Sequence, residues 1–273
     1  WRNLAVKENI EKLKSRGVIF IEPEDGELAC KTTGPGRLAN LDTILERVKD
    51  HFKQFHDLQG LRILITAGPT HEPLDPVRYI SNPSSGKMGY AVAEQAKARG
   101  AEVVLISGPT HLKPPIGVAF KACKTAGEMN SLVQQCFPEC DVLVMSAAVG
   151  DFTAEKLEKE KIKKRSREGQ ILNLVPTKDI LMEVSKIKTQ QFVVGFAAET
   201  QNLIQSALEK LRNKKLDLIV ANDISAPGIG FQSDNNQVTL VDSNEQVENL
   251  PRMAKQEIAN ILLDKILSGA REK

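Results

Sequence analysis

LRILITAGPTHEPLDPVRYISNPSSGKMGYA, residues 61–91, decides the fold. It opens on a short apolar run, Arg62–Thr66, which reads as a strand. A loop containing proline, glycine and serine follows, Ala67–Ser85, and Lys87–Arg99 then reads as a helix. The same alternation continues to the end of the chain. Strands are expected at Glu102–Ser107, Asp141–Ser146, Phe192–Phe196, Leu216–Ala221 and Gln237–Val241. Helices are expected at Ala126–Gln135, Lys178–Lys186, Asn202–Lys214 and Arg252–Leu267. Largely apolar strands separated by helices indicate a sheet covered on both faces. The expected class is therefore α/β: a doubly wound, mostly parallel, Rossmann-like sheet over residues 59–273.

Upstream of residue 61 the pattern is different. Residues 4–16 read as a helix, Val18–Ile21 as a short strand, and Glu22–Arg37 as a loop holding one strand pair at most. Leu41–Phe55 reads as a second helix, and HDLQG at 56–60 as a linker. Residues 1–58 are expected to be a separate piece. Trp1 in place of methionine suggests part of a longer, cytoplasmic protein.

The bulk numbers exclude several classes of function. In 273 residues, 41% are apolar and 26% charged, with a net charge of only +2. A nucleic-acid binder concentrates a larger positive excess, and aromatics at 4% leave little for base stacking. No apolar run approaches the roughly 20 residues a membrane span requires. The cysteines, Cys30, Cys123, Cys136 and Cys140, match neither a zinc knuckle nor a CxxC pair, and the last three read as free thiols. His51, His56, His71 and His111 are scattered. Neither a nucleophile triad nor a histidine metal cluster is visible.

In a doubly wound sheet, ligands bind beyond the carboxyl ends of the strands. That rule selects Ala67–Ser85, Ala147–Lys164, Ala197–Gln201 and Asn222–Asn236. In the first, Gly68 lets backbone approach a ligand, and Asn82, Ser84, Ser85 and Gly86 precede a helix whose free N–H groups suit an anion. Ser85 could instead be a plain N-cap. Neither GxGxxG nor the Walker A pattern is present. Arg78 offers a donor fork for phosphate or carboxylate, or a structural ion pair with Glu72 or Asp75. In the second loop, Ala147 and Ala148 are small, and Asp151 could hold Mg²⁺ or a ribose. The basic run Lys156, Lys159, Lys161, Lys163, Lys164, Arg165 and Arg167 reads as a solvated face, a polyanion patch, or an arm closing on a triphosphate. In the third, Phe196 could stack on a planar ring. Lys210 and Lys214, with Asp217, are either site residues or surface residues. The fourth is polar and carries Asp223, Phe231, Asp234 and Asn236. The inventory suits phosphoryl or nucleotidyl transfer, where catalysis is positioning plus charge neutralisation.

LITAGPTHEPLDPVRYISNPSSGKMGYA, SAAVGDF, EKIKK, GFAAET and RNKKLDLIVANDIS…GFQSDNN, in that order, resemble the synthetase half of bacterial bifunctional phosphopantothenoylcysteine decarboxylase/phosphopantothenate–cysteine ligases. LACKTTGPGR resembles the end of the flavoprotein decarboxylase half. There Cys30 matches the proton-donating cysteine, with Lys31 and Thr32 in place of the family's Gly-Asp. Since most of the FMN-binding fold is missing, decarboxylation by this segment alone is not expected. The resemblance implies a two-step reaction. The carboxylate of 4'-phosphopantothenate attacks CTP to give an acyl-cytidylate and pyrophosphate, then cysteine displaces CMP. It implies that Asn82 acts on the acyl-cytidylate and its onward reaction, that Lys161 activates the carboxylate with CTP, and that Arg78, Ala148, Lys163 and Lys164 hold phosphopantothenate. CTP would be held by Met145, Ser146, Ala147, Asp151, Lys178, Asp179, Ile180, Leu181, Phe196, Lys210 and Lys214. Lys178 stands where the family has proline. Mg²⁺ and a homodimer are implied, with no nucleic-acid or membrane partner.

Two other readings remain. An NAD(P) oxidoreductase would require a glycine fingerprint and an acid ending the second strand, where Ser107 and Gly108 stand. A scaffold protein using the basic arm would bind polyanions with a steep salt dependence.

Overall fold

A computed structural model describes residues 3–16, 18–27, 31, 33–54, 56–163, 171–199, 202–223 and 233–271. The chain divides into two units, Trp1–Asp57 and Leu58–Lys273. The first contains α1 (Leu4–Lys14), the antiparallel pair β1 (Glu24–Glu27) and β2 (Thr33–Arg37), and α2 (Leu41–Gln54). Asn3 caps α1 by accepting the amide of Ala5 at 2.9 Å. The strand expected at Val18–Ile21 is not formed. Val18 and Ile19 remain exposed, and the pairing falls instead to β1 and β2.

The second unit contains β3 (Arg62–Ala67), β4 (His71–Pro73), β5 (Tyr79–Ser81), α3 (Lys87–Ala98), β6 (Glu102–Ser107), β7 (Ala119–Ala122), α4 (Ala126–Cys136) and β8 (Val142–Met145). There follow β9 (Phe152–Ala154), β10 (Leu174–Pro176), α5 (Ile180–Ile187), β11 (Phe192–Glu199), α6 (Leu203–Asn213), β12 (Leu218–Asp223), β13 (Asn235–Asn236), β14 (Val238–Asp242), β15 (Val247–Asn249), β16 (Met253–Ala254) and α7 (Lys255–Arg271). Eight strands form one sheet in the order β15-β14-β12-β11-β8-β3-β6-β7. Pairing is parallel from β12 through β7 and antiparallel at β14 and β15. This is the doubly wound, mostly parallel α/β class that the alternation predicts.

Side chains alternate along each strand, so the sheet feeds two cores. Ile63, Ile65, Val142, Val144, Val194 and Val220 pack with α3 and α7. Leu64, Leu143, Met145, Val193, Ile219 and Ala221 pack with α4, α5 and α6. Each core strand is apolar at consecutive positions because both its faces are covered.

Sequence periodicity did not reveal β7, the hairpins β4–β5 and β9–β10, or β15. Each is three or four residues long and carries little apolar signal. The loop expected to begin at Ala197 is also revised, because β11 continues to Glu199 and pairs with β12 as far as Asp223. The helix expected from Lys178 begins at Ile180, where the Asp179 side chain accepts the amide of Met182.

Candidate active site

A cavity of about 610 Å³ opens at the carboxyl ends of β3, β8, β11 and β12. The first loop is shaped by two tight features, of which Gly86 lines the cavity and Gly68, packed on Gly108, does not. Gly68 has φ +75°, and an added Cβ would sit 3.0 Å from the carbonyl of Gly108. Gly86 has φ +78° and is the N-cap of α3. The cap expected of Ser85 is therefore one residue further on. The hydroxyls of Ser84 and Ser85 lie 3.3 and 3.4 Å from the amides of Gly86 and Lys87. Gly89 allows α3 to press onto the strand ends, since a Cβ there would meet Ser146 Oγ at 2.5 Å and Thr66 O at 2.9 Å.

Asn82 lines the cavity. Its Nδ2 donates to the carbonyls of Ala148 at 3.3 Å and Val149 at 3.2 Å. The carboxamide thus bridges the loop after β3 to the loop after β8. Thr70 makes the same bridge, its Oγ1 accepting the amide of Gly150 at 2.8 Å.

Met145, Ser146, Ala147, Ala148 and Asp151 line the floor and near wall. Thr177 follows, its hydroxyl donating to Gly150 O at 2.6 Å and its amide to Asp151 O. Lys178, Asp179, Ile180 and Leu181 form the wall at the amino end of α5, with Phe196 beside them. Lys210 and Lys214 reach the same wall from α6, and Lys214 Nζ pairs with Asp179 at 2.8 Å. Asp217, grouped with those lysines by sequence, is elsewhere. It precedes β12, is buried, and pairs with Lys188 at 2.7 Å while accepting the amide of Val193.

Arg78, Lys161 and Lys163 do not line the cavity. Arg78 makes one of the ion pairs the sequence allowed, with Asp75 at 3.3 Å, and its guanidinium donates to the carbonyl of Ile162. Lys161 and Lys163 flank that residue and are exposed. Cys30, Lys164, Arg165, Arg167, Gln201 and Phe231 lie outside the described residues, as does the side chain of Asp223.

Sequence reading gives no site role to several cavity residues, Lys87, Asn222 and Lys255 among them. Lys87 stands in the sequence simply as the start of a helix. Asn222, at the end of β12, has a buried Oδ1 with no hydrogen-bond partner among the described residues. Lys255 opens α7 and is only 4% exposed. A signal for it existed: Lys255 shares the buried stripe of α7 with Ile258, Leu262 and Ile266, and a lysine on an apolar helix face calls for a partner.

The cavity is electropositive. Lys87, Lys178, Lys210, Lys214 and Lys255 line it, against the carboxylates of Asp151 and Asp179. The amino ends of α3 and α5 add partial positive charge. Among the described residues no group of three or more His, Cys, Asp or Glu side chains is placed to hold a metal by itself. Burial pushes the thiols of Cys123 and Cys140 up to about 12.

Residues 58–270 match the DNA/pantothenate metabolism flavoprotein C-terminal domain family. The chain belongs to that family. It is similar to the coenzyme A biosynthesis bifunctional protein CoaBC of Escherichia coli strain K12, with 44% identity over all of this chain and 68% of that protein. The CoaBC of Bacillus subtilis strain 168 is 43% identical over 98% of this chain and 66% of its own length. The chain thus spans about two thirds of the length of these relatives. The crystal structure of a CoaBC C-terminal domain superimposes with a TM-score of 0.69 at 40% identity, covering 80% of this chain and all of that one. A Cab2 mutant in complex with phosphopantothenate-cysteine has a TM-score of 0.65 at 21% identity, over 84% of this chain and 95% of its own. At that identity the likeness is one of fold. Among the described residues no helix is long and apolar enough to cross a membrane.

Proposed function

We propose that residues 59–273 ligate 4'-phosphopantothenate to cysteine at the expense of CTP, through an acyl-cytidylate, in coenzyme A biosynthesis. The observation that carries this reading is the cavity itself. It is lined by lysines and helix amino ends, with the Asn82 carboxamide seated on the Ala148–Val149 backbone at its rim. Such a site neutralises phosphate charge and positions substrates, and it needs no protein nucleophile. The identity to CoaBC proteins, and the phosphopantothenate-cysteine bound in the Cab2 structure, support the same substrates.

In the first step the phosphopantothenate carboxylate attacks the α-phosphorus of CTP and pyrophosphate leaves. The base and ribose end of CTP is assigned to the wall made by Met145–Ala147, Asp151, Lys178–Leu181 and Phe196, with Lys210 and Lys214 beside it. Lys161 approaches the transferring phosphate, where its ammonium offsets developing charge. In the second step the cysteine amine attacks the acyl carbon and CMP leaves. Asn82 spends both N–H groups on the two carbonyls. Its Oδ1 remains to orient the acyl-cytidylate and the incoming amine. Arg78, Ala148, Lys163 and Lys164 are assigned to phosphopantothenate.

Mg²⁺ fits this site in the manner of nucleotide enzymes, in which one carboxylate and the substrate phosphates share the ion. Asp151 is the side chain placed to contribute, and the ion would neutralise the triphosphate. The functional unit is proposed to be a cytoplasmic homodimer. A full-length protein of this type would also decarboxylate the product with FMN, using Cys30.

The test is pyrophosphate release with phosphopantothenate, Mg²⁺ and cysteine, comparing CTP with ATP. CTP-selective, cysteine-dependent release is expected. No release from folded protein with either nucleotide would sink the assignment.

A further inference from the structure

The cavity has two cationic ends on opposite faces of the sheet. Lys178, Lys210 and Lys214 sit at α5 and α6, over one core. Lys87 and Lys255 sit at the amino ends of α3 and α7, over the other. The second end has no substrate group assigned to it. Lys87 Nζ pairs with Asp234 at 2.6 Å, but that carboxylate is 87% exposed and screened by water. Lys255 is more demanding. Its Nζ makes one hydrogen bond among the described residues, to the carbonyl of Ser233 at 2.6 Å, and no ion pair. An ammonium carries three donors, so two are unmet on a side chain whose residue is 96% buried (4% exposed). Burial first, and then the neighbouring Lys87, depress its pKa, while Asp234 opposes them. A buried cation without a carboxylate partner costs stability. Packing does not require it, because the same stripe continues with Ile258, Leu262 and Ile266.

We propose that Lys255, together with Lys87 and the amino end of α3, is a phosphate-binding subsite at the α3–α7 end of the cavity. The ligand would supply the missing anion. Lys255 would give it one or two charge-assisted hydrogen bonds, Lys87 a second charge, and the amides after Gly86 a dipole. On the ligase reading, on which the choice of substrate rests, the group is either the terminal phosphates of CTP or the phosphate monoester of phosphopantothenate. The reaction needs two anionic substrates in one cavity, and the two cationic ends match that need.

The experiment compares wild type, Lys255→Met and Lys255→Arg by thermal unfolding and by calorimetric titration with inorganic pyrophosphate, CTP and phosphopantothenate separately. Lys255→Met should raise the unfolding temperature of the ligand-free protein, because it removes an uncompensated buried charge. It should also weaken one phosphate ligand about ten- to a hundredfold, the loss of a charge-assisted hydrogen bond. Lys255→Arg should recover part of that affinity. Weakening of CTP and pyrophosphate assigns the subsite to the nucleotide, and selective weakening of phosphopantothenate assigns it to the monoester. If Lys255→Met instead lowers the unfolding temperature and leaves all three affinities unchanged, Lys255 is a structural tie to Ser233 and the subsite is wrong. Pyrophosphate binding is read without turnover. A wild-type protein that binds it through Lys255 but releases none from CTP would therefore overturn the ligase reading and not the subsite.

Discussion

Asp75 Oδ2 accepts the amide of Ile162 at 3.1 Å, across 87 positions in sequence, while Oδ1 accepts the amides of Val77 and Arg78. With Arg78 donating to the carbonyl of Ile162, the backbone of that residue is held at both its N–H and its C=O. Lys161 and Lys163 flank it. The amide of Glu158 donates to the carbonyl of Leu74 nearby at 3.1 Å. The basic segment is therefore anchored to the loop that carries Asn82. Asp75→Asn should speed hydrogen exchange at the Ile162 amide and slow pyrophosphate release. Faster exchange with release at the wild-type rate would show that the anchor is not needed for the first step.

Lys161→Gln should abolish pyrophosphate release while leaving the unfolding temperature unchanged, since the side chain is exposed. Release at the wild-type rate would remove Lys161 from the first step.

Asn82→Asp should still form acyl-cytidylate but pass it to cysteine slowly. The new carboxylate cannot donate to the Ala148 and Val149 carbonyls as the amide does. Rapid-quench measurement should show the intermediate accumulating. Normal turnover would mean that the bridge between these loops is not needed for transfer.

Gly89→Ala should destabilise the protein by about 1–3 kcal/mol, the usual cost of overpacking, and raise the KM for a phosphate-bearing substrate. The added Cβ would meet Ser146 Oγ at 2.5 Å and Ala67 Cβ at 2.7 Å, which pushes the amino end of α3 away from the strands. Denaturant midpoints and steady-state kinetics on one preparation check both halves.

Asp217→Ala should cost about 3–5 kcal/mol by removing the carboxylate that pairs with the buried Lys188. The pair is at 2.7 Å, with side chains 11% and 10% exposed. Its place before β12, away from the carboxyl ends, predicts unchanged KM values in the protein that remains folded.

Acid should loosen the structure through three carboxylates held below their usual range. In Asp141 the hydrogen bond from Arg62 leads. In Asp234 the hydrogen bond from Lys87 leads. In Asp75 desolvation pushes upward, but the amides of Val77, Arg78 and Ile162, and the Arg78 charge, outweigh it. Each folded value lies below its unfolded one. Their contribution is therefore complete above about pH 4 and is lost as pH falls through the lowered values. Unfolding temperatures measured from pH 6 down to pH 2 should fall mainly below about pH 4, and Arg62→Gln should shrink the fall.

The sequence by itself determined the layered α/β class. Runs such as Ile63–Ala67 and Val142–Met145 are buried on both faces, and only a covered parallel sheet accommodates that pattern. It also determined which loops meet, because ligands in this topology gather at the strands' carboxyl ends, where Asn82, Ala147, Lys178 and Phe196 do converge. Tertiary structure alone decided the pairings between distant side chains. Spacing left Arg78 free to serve as ligand or ion pair, and the pair with Asp75 formed. Spacing grouped Asp217 with Lys210 and Lys214, and strand register sent it to Lys188. Lys255 gained its meaning when α7 packed beside α3. The reason is physical: burial patterns are local and repeat with the period of an element, whereas the partner of a charge is set by which elements the fold brings side by side.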